Sequence, residues 1–258
     1  MPNWVRNHLT ITGANASSVL KDLLVENTNS NCGYDFDFNK IKPMPEPLNI
    51  VSGSETNTGL NLYLTSINPA VIDFGDKKLE PKDFSEAVQA ITKKKSFIHY
   101  SLSKKEIEKL TKYSPMEKLL TLGEQAFKNF INYGAIDWYD WCCANWGTKW
   151  NACETYVSGD KPTDVYFDTA WSPITDLIRE LSIMYPDCSF AYEYAEEQAG
   201  YFAGDFTFKN GSCLNACIYH NFTKEAYEKY FELWGGEDYY KLNSQTDTYE
   251  YIEDEGEM

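Results

Sequence analysis

The groups in this chain that could do acid–base or nucleophilic chemistry are scattered. His8, His99 and His220 are its three histidines. None has a nucleophile motif beside it, so a histidine-based triad has no visible partner set. His8 falls inside an alternating segment and reads as a satisfied structural histidine rather than a base. Neither the vicinal pair Cys142-Cys143 nor Cys213 with Cys217 has a second ligand pair at zinc-finger spacing. No Lys, Arg or His flanks Cys142-Cys143 to lower a thiol pKa. The seven cysteines therefore read as reduced thiols, and no metal or cofactor is expected.

Carboxylates are the abundant reactive type. Glu193, Glu196 and Glu197, with Asp164, Asp168 and Asp205 on adjacent predicted strands, could gather around Mg²⁺ or supply an acid and a base. Glu193 and Glu197 share a face only if their strand runs unbroken, and Ala195 to Gly200 reads as a turn. No phosphate-binding glycine loop accompanies them. Glu193, Glu196, Glu197, Asp164 and Asp168 are therefore expected to form a solvated acidic surface, and no catalytic residue is assigned.

The densest feature is aromatic. Four of seven tryptophans lie between Trp138 and Trp150. Gly147 lets the backbone turn beside large rings, and Lys149 could lie over Trp146 or Trp150 as a cation–π contact. Trp171, at the end of a neighbouring predicted strand, could complete the group. Trp138, Trp141, Trp146, Lys149, Trp150 and Trp171 are thus the candidate binding residues. They are either the junction where a helical layer packs on a sheet or a recognition surface.

The elements that position these residues follow from hydrophobic period and punctuation. Trp4 to Thr12 alternates as a strand, with Val5, Asn7, Leu9 and Ile11 on one side. A helix carrying Val19, Leu20, Leu23 and Leu24 follows, then a second strand through Phe36, Phe38 and Ile41, stopped by Pro43-Met-Pro-Glu-Pro47. Residues 48 to 103 are polar and mixed. From Lys104 to Trp146 the pattern is helical, with Ile107 and Leu110 at its start and Gly134 separating two helices. Ala152 to Val157 and Asp164 to Thr169 read as paired strands. A helix begins at Ser172-Pro173 and carries Ile174, Leu177, Ile178 and Leu181. Strands Cys188 to Ala195, Tyr201 to Phe208 and Cys213 to Tyr219 follow, the last two joined by Asn210-Gly211 as a type I′ hairpin. Thr223 caps a final helix that Gly235-Gly236 ends. This order predicts an α+β fold with a largely antiparallel sheet and helices on one face. Residues 1–236 are expected to form one domain with an inserted mixed and helical segment at about 48–146, and 237–258 a mobile acidic tail.

An Asn-His-Leu-Thr-Ile-Thr-Gly strand followed by Phe36-Asp-Phe-Asn-Lys-Ile-Lys-Pro-Met-Pro-Glu46 resembles the YubB-like ferredoxin-like proteins of phages and plasmids. Asn145-Trp-Gly-Thr-Lys-Trp-Asn-Ala152 and Phe167-Asp-Thr-Ala-Trp-Ser-Pro173 carry the same resemblance. It implies a ferredoxin-like fold and a mobile-element origin, and it transfers no catalytic residues.

Charge narrows the partners. The chain holds 39 acidic and 23 basic residues, a net −16, and residues 1–236 alone retain −9. Such a field opposes phosphate contacts, so direct binding to DNA or RNA is not expected. No segment approaches the roughly 18 to 20 apolar residues of a membrane span, and no export signal is visible. A soluble protein of the host cytoplasm is expected. The leading expectation is a non-catalytic phage-type protein that binds a basic nucleic-acid-handling nuclease or its ribonucleoprotein, inhibiting an RNA-guided or restriction defence. The alternative is a small-molecule-binding protein or enzyme with an aromatic pocket around Trp146, Trp150 and Trp171.

Overall fold

A computed structural model describes residues 3–30, 32–66, 81–94, 115–158 and 162–252. In chain order these form β1 (Trp4–Thr12), α1 (Ala16–Leu23), β2 (Leu24–Glu26), β3 (Tyr34–Phe36), α2 (Ser54–Ser66), α3 (Pro81–Lys94), α4 (Met116–Tyr133), α5 (Trp138–Asn145), β4 (Cys153–Val157), β5 (Asp164–Ala170), α6 (Thr175–Met184), β6 (Ser189–Glu196), β7 (Ala203–Lys209), β8 (Ser212–Ile218), α7 (Lys224–Trp234), β9 (Tyr240–Asn243) and β10 (Thr248–Tyr251). They divide into two units, one of Met1–Pro43 with Cys142–Met258 and one of Met44–Trp141. The second spans most of the segment read as an insertion at about 48–146.

In the first unit, β1 alternates as its sequence demands. Val5, Asn7, Leu9 and Ile11 are buried, while Arg6, His8 and Thr10 on the opposite face are half-buried. β1 pairs antiparallel with β5 on one side and β6 on the other, giving the strand order β4-β5-β1-β6-β7-β8. The first four strands of that order, with α1 after β1 and α6 after β5, make the ferredoxin-like arrangement. β7 and β8 extend it on the β6 side.

α6 buries Leu177, Ile178 and Leu181. The Ile174 N–H donates to the Tyr192 hydroxyl at 2.8 Å, which donates to Asn7 Oδ1 at 2.5 Å. That chain places α6 over the Val5 face and satisfies the buried Asn7 amide. α7 covers the other face: Lys229 reaches Glu193, and the Trp234 Nε1–H donates to the Ala195 carbonyl at 3.0 Å. Helices therefore lie on both faces rather than one, because the second face carries Arg6, His8 and Glu193, whose charges α7 helps to satisfy.

Local chemistry moves several boundaries. β3 ends at Phe36, because Asp37 accepts a hydrogen bond from the Asn39 N–H at 3.0 Å and turns residues Phe38–Lys40 into a short 3₁₀ turn. Among the described residues, β2 and β3 pair only with each other in the sheet ladder. The Asn210-Gly211 turn has φ of 46° and 75°, the two positive values a type I′ hairpin requires. Ile107, Leu110 and His99 lie outside the described residues.

The acidic tail proves different from its expectation. Residues Tyr240–Asn243 and Thr248–Tyr251 pair as a hairpin. Tyr249 lies 5.0 Å from Phe231 and 5.8 Å from Tyr227 of α7, ring centre to ring centre. Tyr240 and Tyr249 are thus half-buried against a helix, while Tyr239 and Tyr251 stay exposed.

In the second unit, the described residues of the polar segment include the helices α2 and α3. α2 and α4 touch backbone to backbone at Gly59 and Gly123, where a Cβ on either glycine would collide with the other helix. Leu60, Leu64, Val88, Ile91, Ala126, Phe127 and Ile136 form the core of this unit. Asn129, buried, donates to the Pro47 and Ile136 carbonyls. Gly134, at φ 71°, ends α4.

Candidate functional site

The register of β1 with its neighbours decides which charges meet. On the face turned to α7, Arg6 lies opposite Asp168, His8 opposite Tyr166 and Thr10 opposite Asp164 across β5, and His8 lies opposite Glu193 across β6. Arg6 grips Asp168 with two hydrogen bonds, Nε to Oδ1 at 3.0 Å and a terminal nitrogen to Oδ2 at 3.1 Å. Its guanidinium also lies 3.9 Å from the Trp234 ring centre. His8 Nδ1 is 2.9 Å from Glu193 Oε2, its Nε2 is 3.3 Å from Thr10 Oγ1 and 3.5 Å from Asp164, and its ring stacks on Tyr166 at 4.1 Å. Lys229 Nζ donates to Glu193 and Glu232 at 2.5 Å each.

The Glu193 carboxyl is held down to about 2, first by its hydrogen bond with His8 and then by Lys229, against the opposing effect of burial. Burial alone would lower the Lys229 ammonium, but hydrogen bonds to Glu193 and Glu232 carry it above its ordinary value. Burial, with Asp164 and Glu193 nearby, pushes the Tyr166 phenol up, so it stays protonated.

The expected acidic surface is therefore corrected. Asp164, Asp168 and Glu196 are buried, and Glu193 is paired on both oxygens. Glu197 alone of the five is exposed. Glu196 accepts from the Asn3 side chain through Oε1, while its Oε2 has no hydrogen-bond partner. The cause is the cross-strand register, which sets Asp164, Asp168 and Glu193 against cations or polar groups of β1 and α7, while Glu196 meets Asn3 just before β1. Among the described residues, no three His, Cys, Asp or Glu converge as metal ligands would.

α7 packs on β6, β7 and β1 and leaves the β4–β5 side open. There Arg6, Glu154, Tyr156, Ser158, Tyr166, Glu232 and Leu233 line a cleft of about 520 Å³. Pairing of β4 with β5 is irregular between Cys153 and Tyr156, and Glu154 sits at φ 47° in this bulge. Beyond it Tyr156 stands exposed, 6.3 Å from Tyr166 between ring centres. Among the described residues, the cation that lines the cleft, Arg6, is paired with Asp168, and Lys229 is paired with Glu193 and with the cleft residue Glu232. Lys229 faces two carboxylates, so its ion pairs leave the Glu232 side with a negative excess, and tyrosine walls with Glu154 at the rim suit an incoming cationic group.

The tryptophan segment separates. Trp146 is internal: its Nε1–H donates to the Lys42 carbonyl at 2.9 Å and its ring meets Phe38 edge-on. Trp138 and Trp141 belong to the other unit, and Trp141 is buried. Trp150 and Trp171, 38% and 45% exposed, hold the Lys149 ammonium at 3.7 and 4.0 Å from their ring centres. The cation thus lies over Trp150 and Trp171, not Trp146, and Trp4 adds a ring 6.0 Å from Trp150. Trp171 reaches this position through a left-handed backbone, φ 73°, fixed by its N–H to the Asn3 carbonyl.

Sequence reasoning missed Arg6, Tyr156, Tyr166 and Glu232. The alternation of β1 could have found Arg6, since it shares the non-apolar face with His8. Nothing local marks the tyrosines as cleft walls, because β4 and α7 meet that face only in the folded chain.

Residues 145–251 match the model of a family described as the ferredoxin-like domain in Api92-like protein. No curated protein matches the chain. A crystal structure of protein Api92 from Yersinia pseudotuberculosis is 14% identical over 85% of this chain and 99% of that one, with a TM-score of 0.34. The matched domain description and the observed strand order agree on one conclusion: the fold is ferredoxin-like.

Proposed function

We propose that the chain is a non-catalytic binding protein whose cleft receives a basic segment of a partner protein. The observation that carries this reading is the cleft itself, with Tyr156 and Tyr166 as walls, Glu154 and Glu232 at the rim, and, among the described residues, Arg6 and Lys229 already paired with carboxylates. A net charge of −16 would speed the approach of a basic surface and select against nucleic acid. No helix among the described residues is long and apolar enough to cross a membrane.

The finer reading keeps the expected partner class. A basic nucleic-acid-handling protein fits the cleft and the charge, and the residue resemblance to YubB-like proteins supports a phage or plasmid origin. In that setting the chain would inhibit a host defence, an RNA-guided nuclease (anti-CRISPR) or a restriction enzyme, in the host cytoplasm. An aromatic pocket around Trp146, Trp150 and Trp171 is less well supported, since Trp146 is internal and Lys149 fills the space between the other two.

Calorimetry with an arginine-rich peptide tests the cleft. Wild-type protein should bind, and Tyr156→Ala and the Glu154→Gln/Glu232→Gln double variant should each weaken binding about tenfold or more, with folding unchanged. Binding that ignores both variants would remove the cleft from the argument. Affinity capture from a host lysate then identifies the partner class.

A further inference from the structure

The two edges of the six-stranded sheet are treated differently. At the β4 edge the chain is bulged, Glu154 is exposed, and the β2–β3 hairpin covers it: Cys32 Sγ lies 3.1 Å from the Thr155 carbonyl, and the Phe36 N–H donates to Thr155 Oγ1 at 3.1 Å. Bulges, charge and cover are the devices that stop one sheet edge from pairing with another. The β8 edge lacks most of them. Among the described residues β8 pairs only with β7. Its sequence, Ser212-Cys-Leu-Asn-Ala-Cys-Ile218, holds no charge and no proline, and Leu214 and Ile218 are 63% and 66% exposed.

The direction of its free backbone groups can be derived. The Tyr219 N–H donates to the Ala203 carbonyl at 3.0 Å. Backbone groups alternate along an antiparallel ladder, so Asn215, Cys217 and Tyr219 turn theirs toward β7, and Ala216 and Ile218 turn theirs outward. The one irregularity, between Thr207 and Phe208 of β7, falls opposite Leu214. Asn215 to Ile218 is therefore the regular, open stretch.

We propose that two copies of this chain pair these edges antiparallel about a two-fold axis through Cys217. Ala216 of each copy then lies opposite Ile218 of the other, and the outward N–H and C=O groups satisfy one another. The two six-stranded sheets become one continuous sheet. A second copy is the fitting occupant because the edge is self-complementary under a two-fold and sets no charged residue against its like. A basic partner would find no carboxylate along this strand to meet. Exposed Phe202, Leu214 and Ile218 add the apolar surface that strand pairing alone lacks, given the roughly 1,200 Å² that a stable interface buries. In this register the two Cys217 residues form a pair without hydrogen bonds, whose Cα atoms lie about 4.5 Å apart, within the spacing a disulfide can span.

Light scattering over a range of concentrations and salt should give twice the chain mass. The dimer should persist or strengthen as salt screens the negative bodies, and Ile218→Lys and Ala216→Pro should each return it to monomer. Crosslinking fixes the register: with diamide, the two Cys217 thiols give up two hydrogens, form one S–S bond and reduce the reagent to its hydrazine. The covalent dimer should vanish in Cys217→Ser and persist in Cys213→Ser. A monomer at every concentration, or a crosslink that survives Cys217→Ser, would overturn the proposal.

Discussion

Replacing Glu193 by Gln keeps the shape of the side chain and removes the charge that joins β1, β6 and α7. The carboxyl is held down from 4.5 to about 2, which corresponds to roughly 3 kcal/mol of preference for the charged form. The side chain is 32% exposed, so solvent screening reduces the expected loss to about 2 kcal/mol. Because the folded-state value is depressed, this stability is present above about pH 4.5 and is lost as pH falls toward about 2. Urea melts of wild type and Glu193→Gln at neutral pH should therefore differ by about 2 kcal/mol, and by about half of that or less near pH 3. Lys229 keeps Glu232 as a partner, so the variant should fold. An equal difference at both pH values would show that the loss is one of packing, and the charge argument would be wrong.

Other substitutions separate what the sequence left joined. Trp146→Ala should cost about 3 to 5 kcal/mol and Trp150→Ala less than about 1 kcal/mol, read as thermal melts, because only the first ring is internal. Equal losses would contradict the burial difference. Gly123→Ala should destabilise the Met44–Trp141 unit by about 1 to 3 kcal/mol or more, since its methyl group would enter the Gly59 backbone; an unchanged melt would mean that the two helices separate freely. Gel shifts at physiological salt should show no retention of DNA or RNA, and micromolar, salt-sensitive retention would end the reading from net charge.

What was legible in the sequence is what a short window contains. The alternation of β1, the Asn210-Gly211 turn and the Thr223 cap, which accepts from the Ala226 N–H, are local and were readable. α2 and α3 were not, because Asn- and Thr-rich α2 gains its order from contact with α4 rather than from propensity. The hairpin after Gly236 was hidden for a similar reason: its apolar content is tyrosine, whose burial depends on Tyr227 and Phe231. Among the site residues, the grouping of Lys149 with Trp150 and Trp171 was partly visible, because the first two are adjacent in the chain and Trp171 ends the neighbouring predicted strand. The carboxylates were misread because their partners are remote. Asp168 meets Arg6 across 162 positions and Glu193 meets His8 across 185, and only strand register brings them together.

The place of β1 carries a consequence for biosynthesis. It is made first among the strands yet sits in the middle of the sheet, and neither neighbour exists until β5 and β6 have been translated. Val5, Leu9 and Ile11 must wait, with α1 but no neighbouring strand of the sheet, while the ribosome adds more than half the chain. During that interval Met44–Trp141, which has a core of its own, can fold. Sheet closure is thus a late event with long-range contacts, a topology that folds slowly. A nascent chain halted before Glu196 would leave an apolar strand without a complete pair of neighbours, and that strand is where such a fragment would aggregate or engage a chaperone.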